Sequence, residues 1–179
     1  MRIALSIVII SLTFVSCSGG QPASNRSHQI KLEADSVVKP KLTTLHFAVA
    51  DKPCIAVIDT RYKDYKHKAE FPLSLFITVT TEGKDRNGHP TEAEAKVHTE
   101  LEEELSKSLG VTVNAFIGKT TMNGYRDYIY YIKPEDRDRV TAELQSLKKK
   151  YSRLKEFTFE DDPQWEAVAE FYEAVRTSN

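Results

Sequence analysis

The chain has 179 residues, with 25 lysines and arginines against 26 aspartates and glutamates, so its formal net charge is −1. This length suits a single folded domain. The balanced charge offers no attraction to a phosphate backbone, so we expect no nucleic-acid partner.

The first 16 residues have the layout of a secretory signal peptide. Arg2 provides a positive start, residues 3–15 are uncharged and mostly apolar, and small residues surround Cys17. The apolar run is shorter than the roughly 20 residues that a membrane-spanning helix needs. Residues 14–17 resemble a lipobox, with Phe14 where Leu is commonest, a variant found in Bacteroidetes-like lipoproteins. We therefore predict lipidation of Cys17 and attachment to a membrane through that lipid; the alternative is ordinary cleavage nearby with a free Cys17.

Residues 17–42 are polar, rich in Ser, Pro and Lys, and without sustained periodicity, which predicts a flexible tether. The protein is expected in the cell envelope. No acidic run follows Ser18 directly, and this favours a periplasm-facing position. The remaining residues, 43–179, are predicted to form one α+β domain.

Six strands are predicted from alternating apolar and polar residues. In the third, Leu73 and Leu75 alternate with Ser74 and Phe76, which is typical of a sheet with one face on the core. Asn123-Gly124 is a strong hairpin signal, and a turn at residues 51–53 would join the first two strands. The predicted strands cover residues 44–50, 54–60, 73–80, 111–121, 125–132 and 156–160.

Three helices are predicted from their start signals and apolar spacing. Thr91 and Glu94 form the pattern of a capping box, Pro134 opens the second helix, and Asp162-Pro163 opens the third. The apolar stripes comprise Ala93, Val97, Leu101, Leu105 and Leu109 in the first helix, Val140, Leu144, Leu147 and Tyr151 in the second, and Trp165, Val168, Ala169, Tyr172 and Val175 in the third.

From residue 73 onward the predicted order is strand, helix, strand, strand, helix, strand. This order is that of a ferredoxin-like split β-α-β core. The N-terminal hairpin would extend the sheet, and the C-terminal helix would pack against an end or a face.

Residues 46–175 resemble the domain of unknown function 695 family. The matching stretches are Gly88-His89-Pro90, a helix carrying Glu102-Glu103, the run from Gly124 to Tyr131, and Asp162-Pro163-Gln164-Trp165 followed by Tyr172. The architecture is also similar to the regulator family that inhibits ribonuclease E. That likeness concerns the fold alone, and a cytoplasmic ribonuclease partner would not suit an exported chain. The resemblance implies no catalytic residues, cofactor or known ligand.

The fifth strand carries the candidate binding face, formed by Arg126, Tyr128 and Tyr130, which lie two residues apart. On an open sheet face this strip could stack a ring or pair with a carboxylate. Alternatively, the tyrosines fill the space under a helix while Arg126 bonds an acid such as Asp161 or Asp162.

The other polar residues are weaker candidates for a functional site. The acidic run Glu160 to Asp162 could bind a cation or could cap the third helix. Glu100, Glu102, Glu103 and Glu104 favour a solvated helix face, with Glu103 pairing with Lys107. Cys54 is expected to be a buried, inert thiol. The five histidines lack zinc-site spacing, so no metal site is predicted; they are His28, His46, His67, His89 and His98.

Three functions remain open at this point. The preferred hypothesis is a non-catalytic binding or regulatory module that takes a protein or a small ligand on its sheet. The second is a metal-dependent hydrolase whose site assembles from Asp161, Asp162, Glu103 and a histidine. The third is a structural spacer between the membrane and another layer of the envelope.

Overall fold

The computed structural model describes residues 39–110 and 114–177, without the side chain of Asn114. The predicted signal peptide, Cys17, His28 and most of the predicted tether therefore lie outside the described residues. None of the described helices is both long and apolar enough to cross a membrane.

The described residues form an α+β structure of six strands and three α-helices, as predicted, with short 3₁₀ turns between them. The strands are β1 (Leu42–Val49), β2 (Lys52–Asp59), β3 (Leu73–Thr80), β4 (Asn114–Met122), β5 (Tyr125–Ile132) and β6 (Leu154–Asp161). The helices are α1 (Glu92–Leu109), α2 (Arg137–Lys150) and α3 (Ala169–Thr177).

All six strands belong to one antiparallel sheet with the order β1-β2-β4-β5-β3-β6. The hairpin β1–β2 extends the sheet beside β4, as the sequence predicted. Within the described residues, β1 and β6 are the two edge strands. The bounds of β3 and β5 match the prediction, whereas β6 begins two residues earlier and α2 is preceded by a 3₁₀ turn at Pro134–Asp136.

One face of the sheet packs against α1 and α2. Leu101 and Leu105 of α1 and Leu144 of α2 are buried against the β3 side chains that alternate from Leu73 to Val79. Burial of these side chains provides the main stabilisation of this layer.

The opposite face is also covered, so the prediction of a sheet with one packed face is wrong. Tyr131 and Ile58 contribute to a second buried cluster with Trp165, Tyr172 and neighbouring residues of the C-terminal segment. The alternation in β3 predicted that Ser74 and Phe76 face the solvent. In the structure Ser74 is fully buried, and Phe76 is partly buried against this second cluster.

Two hairpin turns use left-handed residues, but only one has the residues that such a turn favours. Asn123 and Gly124 have φ of 50° and 87°, which confirms the predicted β4–β5 turn. The β1–β2 turn consists of Ala50 and Asp51, with φ of 47° and 61°. The predicted turn at residues 51–53 is therefore displaced, because Ala50 is a poor left-handed residue and gave no turn signal.

A hydrogen bond between Tyr131 and Asp162 anchors the C-terminal segment to the sheet. The fully buried Tyr131 hydroxyl donates to Asp162 Oδ2 at 2.5 Å, and the Tyr131 ring stacks on Trp165 at 4.2 Å. Asp162 also accepts the backbone N–H groups of Glu166 and Ala167, as expected for a helix cap. Burial alone would raise the pKa of Asp162, but these hydrogen bonds outweigh it and the net shift is downward.

We predict that Tyr131→Phe lowers the free energy of unfolding by about 1–2 kcal/mol, because one hydrogen bond to a carboxylate is lost while the ring stacking is kept. Urea denaturation would measure the change. Tyr125→Phe is the matched control on the same strand, since Tyr125 is 40% exposed and such surface changes have small effects. Equal stability of Tyr131→Phe and the wild type would contradict the assigned role.

Candidate functional site

The predicted strip on β5 does not form an open face. Tyr128 and Tyr130 are buried beneath α1 and α2, and the Tyr128 hydroxyl donates to the backbone carbonyl of His98. Burial raises the pKa of Tyr128 to about 12. The two tyrosines thus fill the space under the helices, which is the alternative that the sequence left open.

Arg126 differs from the two tyrosines because it is only half-buried. Its Nε donates to Thr121 Oγ1 at 3.1 Å. The bond to Asp161 or Asp162 that belonged to the alternative interpretation is not formed. Asp162 is engaged with Tyr131 on the other face of the sheet, and Asp161 lies beside Leu73, at the end of β3 away from Arg126. Arg126 forms no ion pair with a carboxylate of the described residues.

Arg126 contributes to a groove of about 230 Å³, referred to below as the groove. Its residues lie on the α1 face of the sheet, where β2 and β4 continue toward the edge. The side chains that line the groove are partly apolar and partly cationic. The lining residues are Ile55 and Val57 of β2, Lys119 and Thr121 of β4, Arg126 of β5, and His89 and Pro90 of the loop before α1.

The loop that carries His89 is held in place by a turn around Asp85. The Asp85 carboxylate accepts the backbone N–H groups of Asn87 and His89, and these hydrogen bonds lower its pKa. Gly88 has φ of 81°, and a Cβ there would lie 2.7 Å from Asn123 Cα. Only glycine therefore permits this close approach of the loop to the β4–β5 turn.

Hydrogen bonds to β2 and to the β4–β5 turn fix the same loop. The Gly88 carbonyl accepts the Gly124 N–H at 2.9 Å, and His89 Nε2 donates to the Pro53 carbonyl at 3.2 Å. The wall of the groove is thus formed by a fixed loop.

Glu94 connects this loop to α1. Thr91 Oγ1 accepts the Glu94 N–H, as the predicted cap requires. The Glu94 carboxylate does not return to Thr91; it accepts the N–H groups of Glu82 and Gly83 and pairs with Arg153. The reciprocal half of the capping box is therefore wrong, and the carboxylate supports the loop instead.

The positive charge in the groove is unevenly compensated. Lys119 Nζ lies 2.5 Å from Glu102 Oε2, so its charge is balanced by α1. Arg126 has no such partner among the described residues. An anionic group entering the groove would therefore meet Arg126 as its strongest electrostatic contact.

His98 lies buried behind Arg126, with an exposed fraction of 1%. Its Nε2 is 3.2 Å from Thr81 Oγ1, and its Nδ1 has no hydrogen-bond partner. Burial, reinforced by the charge of Arg126, lowers the pKa of His98 to about 4. His98 is thus neutral near pH 7 and adds no charge to the region.

We predict that protonation of His98 destabilises the fold in acid. Its pKa is about 4 when folded and 6.5 in the unfolded reference, so the unfolded chain binds the proton first as the pH falls. The contribution is complete above pH 6.5 and is lost progressively between pH 6.5 and 4, amounting to about 3 kcal/mol.

Urea denaturation at several pH values would measure this contribution against His98→Leu, which lacks the titrating group. His67→Leu is the control, because His67 is exposed. An unchanged slope of stability against pH in His98→Leu would rule the assignment out.

The remaining predicted polar groups are dispersed. Glu103 is exposed and Lys107 pairs with Glu104, so the predicted Glu103–Lys107 pair is wrong. Cys54 is a free, buried thiol whose pKa is raised by burial, as expected for an inert cysteine. Residues 39–110 and 114–177 contain no group of three or more His, Cys, Asp or Glu side chains that could hold a metal ion. The residues of the hydrolase hypothesis are therefore not brought together.

A second depression, of about 460 Å³, lies between the charged loop of residues 63–69 and the C-terminal segment. It is larger than the groove but open and lined mostly by charged side chains. Arg176 there is already paired with Asp64 and Glu173. The groove offers a more defined environment for a ligand.

The sequence did not reveal that Glu94 and His98 are buried, because the predicted stripe of α1 was built from apolar residues only. It placed Ala93 and Val97 on the buried stripe, whereas Ala93 is exposed and the buried positions before Leu101 are His98 and Glu94. His98 lies three residues before Leu101, and Glu94 lies four residues before His98. This helical spacing is the signal that could have placed both residues on the buried face of α1.

A family model described as a family of unknown function, DUF695, matches residues 43–172. The chain belongs to this family. The DUF695 match includes all the stretches on which the resemblance was based, so that prediction is confirmed for the domain. No curated protein and no solved structure matches the chain significantly.

Proposed function

We propose that this DUF695 protein is a non-catalytic binding module of the cell envelope, and that its groove takes a small ligand bearing a carboxylate beside an apolar group. The observation that carries the proposal is Arg126, a half-buried guanidinium without an ion-pair partner among the described residues. A planar guanidinium matches the two oxygens of a carboxylate.

The rest of the groove supports a ligand of mixed character. Ile55, Val57 and Pro90 provide apolar surface next to Arg126. Thr121 Oγ1 accepts a hydrogen bond from Arg126 Nε, and the Tyr128 hydroxyl is a second hydrogen-bond partner of the guanidinium, so the guanidinium is held in place beside the apolar surface. An apolar surface with a few placed polar groups is the usual composition of small-molecule sites.

The ferredoxin-like description of the core belongs to the same proposal. The order β4-β5-β3-β6 supports it, because the second, third, first and fourth strands of a split β-α-β unit would lie in this order. The packing of α1 and α2 on one face of these strands also supports it. In this description the groove lies where the added hairpin meets the core.

Attachment to the envelope rests on the signal-like residues 1–16 and on Cys17. A lipid at Cys17 would hold the domain at a membrane surface, through the polar residues 17–42. A lipid-anchored binding module suits a protein that captures or presents a ligand there.

We predict that the full chain binds N-acetyl-leucine and does not bind N-acetyl-leucine amide, which lacks the negative charge. Ligand-observed NMR titration would measure both. Arg126→Met should weaken binding at least tenfold, because a charged hydrogen bond is removed, and Arg126→Lys should restore part of it.

Arg137→Met is the matched control, since Arg137 is exposed at the start of α2, away from the groove. Equal binding of the acid and the amide, or unchanged binding by Arg126→Met, would exclude the proposed carboxylate site.

We predict that bacterial cells expressing the chain incorporate a palmitate analogue into it, and that Cys17→Ser abolishes incorporation and releases the protein from the membrane fraction. Gel fluorescence after metabolic labelling measures the first effect and cell fractionation the second. Cys54→Ser is the control, because Cys54 is buried. Labelling retained in Cys17→Ser would contradict lipidation at this position.

A further inference from the structure

The depression of about 460 Å³ beside the C-terminal segment is strongly cationic. It is referred to below as the lysine depression, and the loop of residues 63–69 forms one of its walls. Four cationic side chains line it against a single carboxylate, that of Asp64. The cations are Lys63, Lys66, Lys68 and Arg176. A concave surface lined mainly by charges of one sign concentrates the electric field and attracts a ligand of the opposite sign.

The carboxylates around the lysine depression are already engaged with other groups. Asp64 Oδ1 lies 3.4 Å from Nη2 of Arg176, and Arg176 also pairs with Glu173. Glu70, the other acid of the loop, lies 2.8 Å from His67 Nδ1. These acids therefore leave the lysines of the depression without compensation.

The three lysines carry the surplus positive charge. Within residues 39–110 and 114–177, Lys63, Lys66 and Lys68 form no ion pair with a carboxylate. Lys66 is exposed, and the other two lysines are half-buried. Like charges that are held near one another repel, and a bound anion relieves that repulsion. The arrangement thus favours occupation of the depression by a negatively charged group.

A packed aromatic cluster fixes this wall of the depression. The Tyr65 ring lines the depression and stacks on the fully buried Trp165, with the ring centroids 5.7 Å apart. The Lys68 ammonium lies 5.7 Å from the Trp165 ring centroid and 3.5 Å from the Gln164 carbonyl oxygen. Lys68 is therefore positioned before a ligand arrives, which lowers the entropic cost of binding.

We propose that the lysine depression binds a phosphate group, carried either by a soluble phosphorylated compound or by an anionic lipid headgroup. Lysine ammonium groups bind phosphate as point charges, without the planar fork that suits arginine to a carboxylate. The volume of the depression lies in the range of small-ligand sites. The depression belongs to the layer of the C-terminal segment, whereas the groove lies on the α1 face, so the inference does not depend on the proposed carboxylate site.

The fluorescence of Trp165 provides the readout, because it is the single tryptophan of the chain and lies beside Lys68. Titration of the full chain in a neutral detergent with inorganic pyrophosphate should give a saturable change of emission. Sodium acetate at the same ionic strength should give none. A second titration compares detergent micelles that contain phosphatidylglycerol with micelles that contain phosphatidylcholine, and thereby tests a lipid headgroup as the source of the phosphate.

Paired substitutions locate the response. Lys63→Gln combined with Lys66→Gln should weaken binding at least tenfold, because two of the three uncompensated charges are removed. The matched control combines Lys148→Gln with Lys149→Gln, which removes the same charge from the exposed end of α2 and should leave binding unchanged.

A saturable response to pyrophosphate that only the loop double variant weakens supports the proposal, with a soluble phosphorylated compound as ligand. A response to phosphatidylglycerol but not to pyrophosphate, weakened by the same variant, supports it with a lipid headgroup as ligand. Absence of a response to both probes, an equal response to acetate, or equal effects of the two double variants overturns it. Loss of the response in Arg126→Met would place the phosphate in the groove and also overturns it.

Discussion

The hydrogen bond from Tyr131 to Asp162, with Trp165 stacked on the same tyrosine, is the contact on which the second layer of the domain depends. Trp165 is fully buried and adopts a left-handed backbone with φ of 62°, a conformation that costs an ordinary residue about 1–2 kcal/mol. Its Nε1 donates to the Phe71 carbonyl. This conformation is maintained because ring stacking, burial and two hydrogen bonds outweigh the backbone cost. Helix α3 follows directly after this fixed segment around Trp165.

The family stretches meet at two places in the fold, and their roles differ. Residues 162–165 meet Tyr131 of β5 and hold the C-terminal layer on the sheet. Residues 88–90 pack on the β4–β5 turn and form one wall of the groove, where Arg126 of the same β5 stretch is found. Strand β5 is therefore shared by a packing contact on one face and a candidate binding surface on the other, which is the alternation expected of a strand.

Much of the fold could be predicted from local signals, because these signals act within a few residues. Asn123-Gly124 predicted the β4–β5 turn, and Thr91 predicted the start of α1. The alternating residues of β3 predicted that strand together with its bounds. The groove could not be predicted in this way. It depends on β2, β4 and the loop before α1 meeting across the sheet, and on Glu94 and His98 occupying helix positions that polar residues seldom take. The face of Tyr128 and Tyr130 was misjudged for the same reason, since only the placement of α1 decides whether it is covered.

The two hairpin turns also imply an order of folding. Asn123 and Gly124 adopt left-handed conformations readily, so β4 and β5 can pair before the rest of the sheet is present. Ala50 and Asp51 need the same geometry without glycine, and their hairpin gains stability mainly from packing on structure that already exists. We expect β1 and β2 to join the sheet late and to open first in the native state. Amide hydrogen exchange should then be faster along β2 than along β5, although both are interior strands of the same sheet.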